Sequence, residues 1–305
     1  MNSFKNLFKF NVRSTTGSYG VPGEGNSLWI AVGSTVFFII LWYLVTTPLL
    51  MPPVVDDESI TNDEEVVVEE VIEKVPLIPP LFLPGPNAVY DKFVILLTEE
   101  FNGGTLFDHI KWSMFRVFSA FLLSIVTAIP LGLLTGLNVY FKGAFDPPIE
   151  FYRPIPPLAY LPLMIIWFGI GELSKIVLIY LAIFSAMVIN TRSGVRSAGL
   201  EQIHAAYSMG ASKFQVITQV VLKAAMPEIL TGMRVGIGFG WTTLVAAELV
   251  AAQAGIGAMI KGASDFLVTD VIIVGIVVIG VIAYAFDLIM RYLERIIVPW
   301  KGKMT

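Results

Sequence analysis

Glu248 is the only acid in the apolar run 230–252, where it follows Trp241, Thr242 and Thr243. A charged side chain at the centre of a bilayer costs about 2.5–3.5 kcal/mol unless it faces the bundle interior or water. The spacing therefore leaves two readings open. Either these residues line a polar translocation path, or Glu248 makes a structural bond between spans while the threonines hydrogen-bond across helix contacts. As a proton relay, Glu248 would instead serve a proton-coupled secondary carrier. Other chemistry is sparse. His109 and His204 lie far apart and without HExxH-type spacing, which argues against a catalytic metal site. The chain has no cysteine, which excludes disulfides and thiol catalysis. It also has no G-x-x-x-x-G-K-[ST] phosphate loop, so any ATP hydrolysis must come from another subunit. No catalytic, cofactor-binding or metal residues are expected in this chain.

The elements that must position these residues are membrane helices. The 305 residues are 55% apolar and 14% charged, against about a quarter charged in soluble domains. Scattered basic residues offer no face for nucleic acid. Residues 1–27 read as a basic tail, and 28–47 as a first span of about the length a 30 Å hydrocarbon core requires. The loop 48–86 carries an acidic insert at 54–78, with nine acids between Asp56 and Glu73. It reads as a solvated insert or as a short amphipathic helix through Val68, Val71, Ile72 and Val75. Asn87 caps a surface helix over 88–97, opening a core region 87–299.

Five further spans follow at about 112–137, 154–171, 174–191, 230–252 and 271–290, before a short tail at 300–305. The Pro-punctuated third span is read as kinked, with a re-entrant piece as its alternative, and Glu172 to Lys175 as a tight turn. Gly132 and Gly136, and the four-residue series Gly232, Gly236 and Gly240, predict faces where another helix approaches closely. Arg116 and Arg234 are expected to snorkel from span ends to the headgroups. With both termini in the cytosol, thirteen Lys and Arg lie inside and five outside, in line with the positive-inside rule.

That orientation places the one large polar interruption, 192–229, in the cytosol. Ile203, Ala206 and Tyr207 share one helical face, and Phe214, Ile217 and Val221 another, with Gly210 between them. The pattern is a helix, a glycine turn and a second helix. Pro227 and Glu228 suit the start of the next span. Periodicity alone leaves open whether this hairpin docks a partner or merely connects two spans.

The segment HAAYSMGASKFQVITQVVLKAAMPEILTGMR resembles the cytoplasmic "EAA" loop of ATP-binding-cassette importer permeases. Ala205, Ala206 and Gly210 match at the family spacing, and Ala211 follows the turn. His204 occupies the Glu position, and Lys223 stands where the loop's ending normally has proline. The segments PPIEFYRPIPPLAYLPLMIIWFGIGELSKIVLIYLAIF, GWTTLVAAELVAA and ERIIVPWKG are similar to the nitrate, sulfonate and taurine branch of that family.

The resemblance implies an all-α integral membrane protein with the six-helix type I importer-permease (MetI-like) fold. It implies coupling through His204, Ala205, Ala206, Gly210 and Ala211 to a cytosolic ATPase dimer that holds the ATP and Mg. It further implies an extracytoplasmic solute-binding protein, a second copy of the permease, and a bacterial inner-membrane location. Taurine or a related sulfonate is the expected solute. Nitrate, bicarbonate, cyanate and a thiamine precursor share the scaffold, and a membrane scaffold without transport is a further alternative.

Overall fold

The computed structural model describes residues 28–47 and 78–300. The two tails and the acidic insert, apart from its last residue, lie outside the described residues. Two compact units divide at Pro86. In the first, α1 (Leu28–Thr46) is apolar throughout. Phe37, Phe38 and Leu44 are exposed on it, as suits a helix in lipid. The indole of Trp42 donates to the Pro84 carbonyl at 3.2 Å, which ties the end of α1 to the chain that returns after the insert.

The second unit begins with α2 (Pro86–Thr98), of which Pro86 itself belongs to the first. Then come α3 (Leu106–Leu137), α4 (Val139–Tyr152), α5 (Leu161–Phe168), α6 (Glu172–Arg196) and α7 (Leu200–Ser208). After them run α8 (Lys213–Gln215), α9 (Leu222–Ala251), α10 (Ile256–Asp265) and α11 (Thr269–Ile297). Among the described residues, four rods are long and apolar enough to cross a membrane: α3, α6, the joined rod Lys213–Ala251, and α11. A count of six adds α1 and the shorter apolar stretch Pro157–Phe168. The latter is a 3-10 turn followed by two turns of α-helix, ending at Gly169 with φ +80°. Its 12 residues rise only about 20 Å, short of a 30 Å hydrocarbon core.

Several boundaries differ from the expected ones for local reasons. A capping box starts α3 six residues early: Thr105 Oγ1 accepts from the Asp108 amide at 3.4 Å, and Asp108 Oδ2 accepts from the Thr105 amide at 3.1 Å. Glu172 to Lys175 form no turn. They are the first turn of α6, capped by Gly171. Pro227 starts no helix either but sits inside α9, just beyond a π-helical stretch, Val216–Val221, that joins α8 to α9. A π stretch accommodates an irregular run without breaking the rod.

The core is α6 clasped between α3 and α9. Both predicted glycine faces seat on it. A Cβ on Gly132 would lie 2.6 Å from Thr191, and one on Gly136 equally close to Val195. On the α9 side, a Cβ on Gly232 would meet Asn190 at 2.6 Å, and one on Gly240 would meet Ile183 at 2.8 Å. Backbones this close leave no room for a side chain, and dispersion across the contact is the return.

Gly132→Ala is predicted to lower stability by about 1–3 kcal/mol, the usual cost of overpacking. Gly238→Ala, where a Cβ meets nothing within 4 Å, should be neutral or mildly stabilising. Thermal unfolding of the purified protein in detergent separates the two; equal transitions would contradict the packing.

Candidate functional site: a docking hairpin and a buried ion cluster

The polar interruption after α6 is a hairpin built from the residues the pattern named. The end of α7 is tied off by Met209 N to Ala205 O at 3.1 Å, Gly210 N to Tyr207 O at 2.9 Å and Ala211 N to Ala206 O at 3.1 Å. Gly210 takes φ +83° with open space about its missing Cβ, so the backbone conformation, not crowding, demands glycine. Ser212 and Gln215 form a second capping box that starts α8.

Ala206 is buried and packs with Val195, Ala198, Val216, Val221, Ala225 and Ile229. Ile129 and Leu133 of α3 and Met233 of α9 abut this cluster. The hairpin is therefore fastened to all three helices of the core. His204 and Ala205 are exposed, Ala211 is half-buried, and Gly210 lies at the exposed tip. Around them Leu200, Tyr207, Met209 (83% exposed) and Phe214 (74% exposed) present an apolar surface. Large exposed apolar groups clustered on one element mark an interaction surface. Met209 and Leu200 escaped the sequence reading because they fall outside the periodic faces that it used.

At the opposite end of α6 the structure overturns the expectation for Arg116. This side chain does not snorkel. It is 1% exposed and bonds Glu172 through Nε at 2.5 Å and Nη2 at 2.9 Å. Its Nη1 reaches Glu248 at 2.5 Å and the Ala254 carbonyl at 2.7 Å. Lys175 donates to Glu172 at 2.8 Å. Ser113 Oγ donates to both oxygens of Glu248, at 2.8 and 3.0 Å, and accepts from the Ile256 amide at 2.9 Å.

The Gly257 amide donates to Glu248 at 2.8 Å. His109 Nδ1 accepts from the Gly255 amide at 3.1 Å, which leaves Nε2–H to donate to the Phe101 carbonyl at 2.8 Å and fixes a neutral tautomer. Gly255 has φ +129°, and a Cβ there would lie 2.5 Å from Arg116 and Glu248. Two cations and two carboxylates from α3, α6 and α9 thus close on each other and on the turn that opens α10. Arg234, a third exposed, pairs across to α11 with Glu294 at 3.5 Å and Asp287 at 3.9 Å.

The suggested path residues separate. Trp241 is buried in the core between α3, α6 and α9, and its Nε1 has no hydrogen-bond partner. Glu248 is sealed in the ion cluster, 1% exposed. Thr242 and Thr243 alone line a cavity.

Removing one member of a buried pair strands the other, at about 3–5 kcal/mol. Arg116→Met and Glu248→Leu should each lower stability by about that much, while the double variant loses well under the sum. Unfolding in detergent measures all three; additive losses would mean that the two charges are energetically independent.

Comparison with known proteins gives the chain its family. The family of binding-protein-dependent transport system inner membrane components matches over residues 128–299. The chain is 48% identical to the taurine transport system permease protein TauC of Escherichia coli, covering 75% of this chain and 83% of that one. It is 33% identical to the putative aliphatic sulfonates transport permease protein SsuC of Bacillus subtilis, over 76% of this chain and 83% of the relative. Identity to the nitrate import permease protein NrtB of a Synechocystis species is also 33%, over 72% and 82%. Among solved structures, an inward-facing MetNI methionine ABC transporter aligns at 18% identity with a TM-score of 0.49, over 61% of this chain and 95% of that one. The chain belongs to the family of inner-membrane components of binding-protein-dependent transport systems: it is a transporter permease, not an enzyme, and works with a separate ATPase and a binding protein.

Proposed function

We infer that this chain is the pore-forming subunit of an importer for taurine or a related sulfonate. The observation that carries the reading is the 48% identity to a taurine permease across three quarters of the chain. The sulfonate and nitrate permeases among its relatives support a small oxyanion as the solute. In this reading the hairpin and both termini lie in the cytosol, two copies form the pore, and the location is a bacterial inner membrane. A cytosolic ATPase pair seats on the apolar surface around His204, Ala205 and Gly210, and an extracytoplasmic binding protein delivers the solute. The acidic insert 54–78 belongs to the extracytoplasmic side, and the chain needs no cofactor of its own.

The geometry supplies a mechanism. Closure of the ATPase presses on α7, whose buried face is packed through Ala206 against residues of α3, α6 and α9. Those helices interlock at glycine contacts, so they tilt as one body between discrete arrangements. At the far end the ion cluster keeps α3, α6 and α9 in register during that tilt. A proton relay through Glu248 finds no support, because its oxygens already accept from Ser113, Arg116 and Gly257.

The test is ATP-dependent uptake of radiolabelled taurine into proteoliposomes holding the permease, its ATPase and its binding protein. Uptake that persists without the ATPase would refute the reading. Gly210→Val should insert normally yet bring uptake to background, since a β-branched residue is strained at φ +83°. Full uptake in that variant would remove the hairpin from coupling. Cysteine scanning provides a finer check in a chain without native cysteine. Ala205→Cys and Met209→Cys, both exposed, should crosslink to the ATPase, whereas the buried Ala206→Cys should not.

A further inference from the structure

A cavity of about 300 Å³ opens between α4, the proline-rich turn after it, α6 and α9. That volume is at the small end of ligand sites. It lies partway along α6: Ser185, which lines it, is 13 residues from Glu172 and 11 from Arg196. The cavity thus sits between the ion cluster and the hairpin and belongs to neither.

Its polar lining carries one cation, Arg153, and the neutral groups of Tyr152, Tyr160, Ser185, Asn190, Thr242 and Thr243. Arg153 is exposed and forms no ion pair among the described residues. The Tyr152 hydroxyl is buried without a hydrogen-bond partner. Asn190 spends one amide N–H on the Ala186 carbonyl, at 2.8 Å, and keeps a second. Ser185 makes a long bond of 3.4 Å to Ala182 O, and its hydroxyl lies beside that of Tyr152. No Asp or Glu lines the cavity. A guanidinium, a phenol, an amide and a hydroxyl, with no carboxylate to compete, match an acceptor-only anion; a planar guanidinium fork suits oxyanions in particular. Apolar neighbours such as Phe239 suit a short carbon arm.

We propose that this cavity is a binding site for the oxyanion head of a small solute, a sulfonate or nitrate, held by Arg153 and Tyr152 with Ser185 and Asn190. It rests on the transport reading above and deepens it: the permease itself selects for the anionic group, independently of its binding protein. An amine on the solute has no acidic partner here, so the anion alone suffices for recognition.

The experiment is direct binding of radiolabelled methanesulfonate to the full chain in nanodiscs of phosphatidylcholine, without binding protein or ATP. Saturable binding is expected, displaced by nitrate and by taurine but not by ethylammonium. Arg153→Gln should weaken it by about ten-fold or more and Tyr152→Phe by several-fold, while Arg153→Lys, which keeps the charge, loses less than Arg153→Gln. Each variant is compared at matched monodispersity on size exclusion, and the mild Tyr152→Phe change keeps the test decisive if Arg153→Gln misfolds. Absence of saturable binding, displacement by ethylammonium, or equal affinity in the variants would overturn the proposal. Soluble glycerol phosphate as a competitor distinguishes a lipid-phosphate site: displacement by it at far lower concentration than by nitrate or taurine assigns the cavity to headgroups and overturns the solute reading. If methanesulfonate binds as expected but the assembled transporter imports no sulfonate, the uptake reading fails alone.

Discussion

The closed set of charges around Arg116 is the constraint on which the core depends. Each of its members is tolerable only because the others are in place. Arg116 and Glu248 are both 1% exposed, and a lone charge at such a position carries a desolvation cost of several kcal/mol. Satisfying the guanidinium takes Glu172 from α6, Glu248 from α9 and the Ala254 carbonyl together. A register shift of any one helix would break two or more of these bonds. Apolar packing inside a lipid bilayer lacks the hydrophobic drive available in water, so a polar lock of this kind specifies alignment where greasy surfaces cannot. Gly255 belongs to the lock as well, because both its φ and its crowding exclude a side chain.

From that lock the rest follows along α6. Its start carries Glu172 and Lys175, its middle receives the glycine faces of α3 and α9, and its end leads through Ser197 into the hairpin. One helix therefore joins the charged end to the docking end. The hairpin does not hang from it as a free loop. Gly194 lets the Ala225 backbone come within 2.8 Å of where a Cβ would be, so α6 and the base of α9 are in direct contact where the force would enter. In the proposed coupling, a push on α7 would reach α6 and α9 at once.

How much of this the sequence revealed depends on the range of each interaction. The hairpin was legible because its signals are local: a helical period, Gly210, and a second period. The glycine faces were legible too, since a four-residue repeat fixes which side of a helix approaches another. The capping box at Thr105 and Asp108 was equally local, but Asp replaces the usual Glu or Gln at its third position and the motif passed unread. The role of Arg116 is illegible for a different reason. Its partners lie 56 and 132 residues away, and no spacing rule connects them; one charge near a span end looks the same whether it snorkels or pairs. Glu248 was correctly singled out as costly, yet the sequence could not say which of its two readings held. The boundary at Pro227 failed because a π stretch carries the helix through it.

Buried side-chain atoms without a hydrogen-bond partner among the described residues fall away from the ion cluster. Around Arg116 each buried side-chain nitrogen and oxygen described has at least one partner. The four buried side-chain atoms without one among the described residues, Asp146 Oδ1, Tyr152 OH, Thr191 Oγ1 and Trp241 Nε1, all lie on α4, α6 and α9, away from that cluster. Each orphaned polar group costs on the order of 1–3 kcal/mol. An arrangement that carries such costs has hydrogen bonds to gain elsewhere, by a shift of α4 against α6 and α9 or by the arrival of a polar solute. Of the four, only Tyr152 lines the cavity, so within a rigid tilt of α3, α6 and α9 it is the one that a bound solute would satisfy.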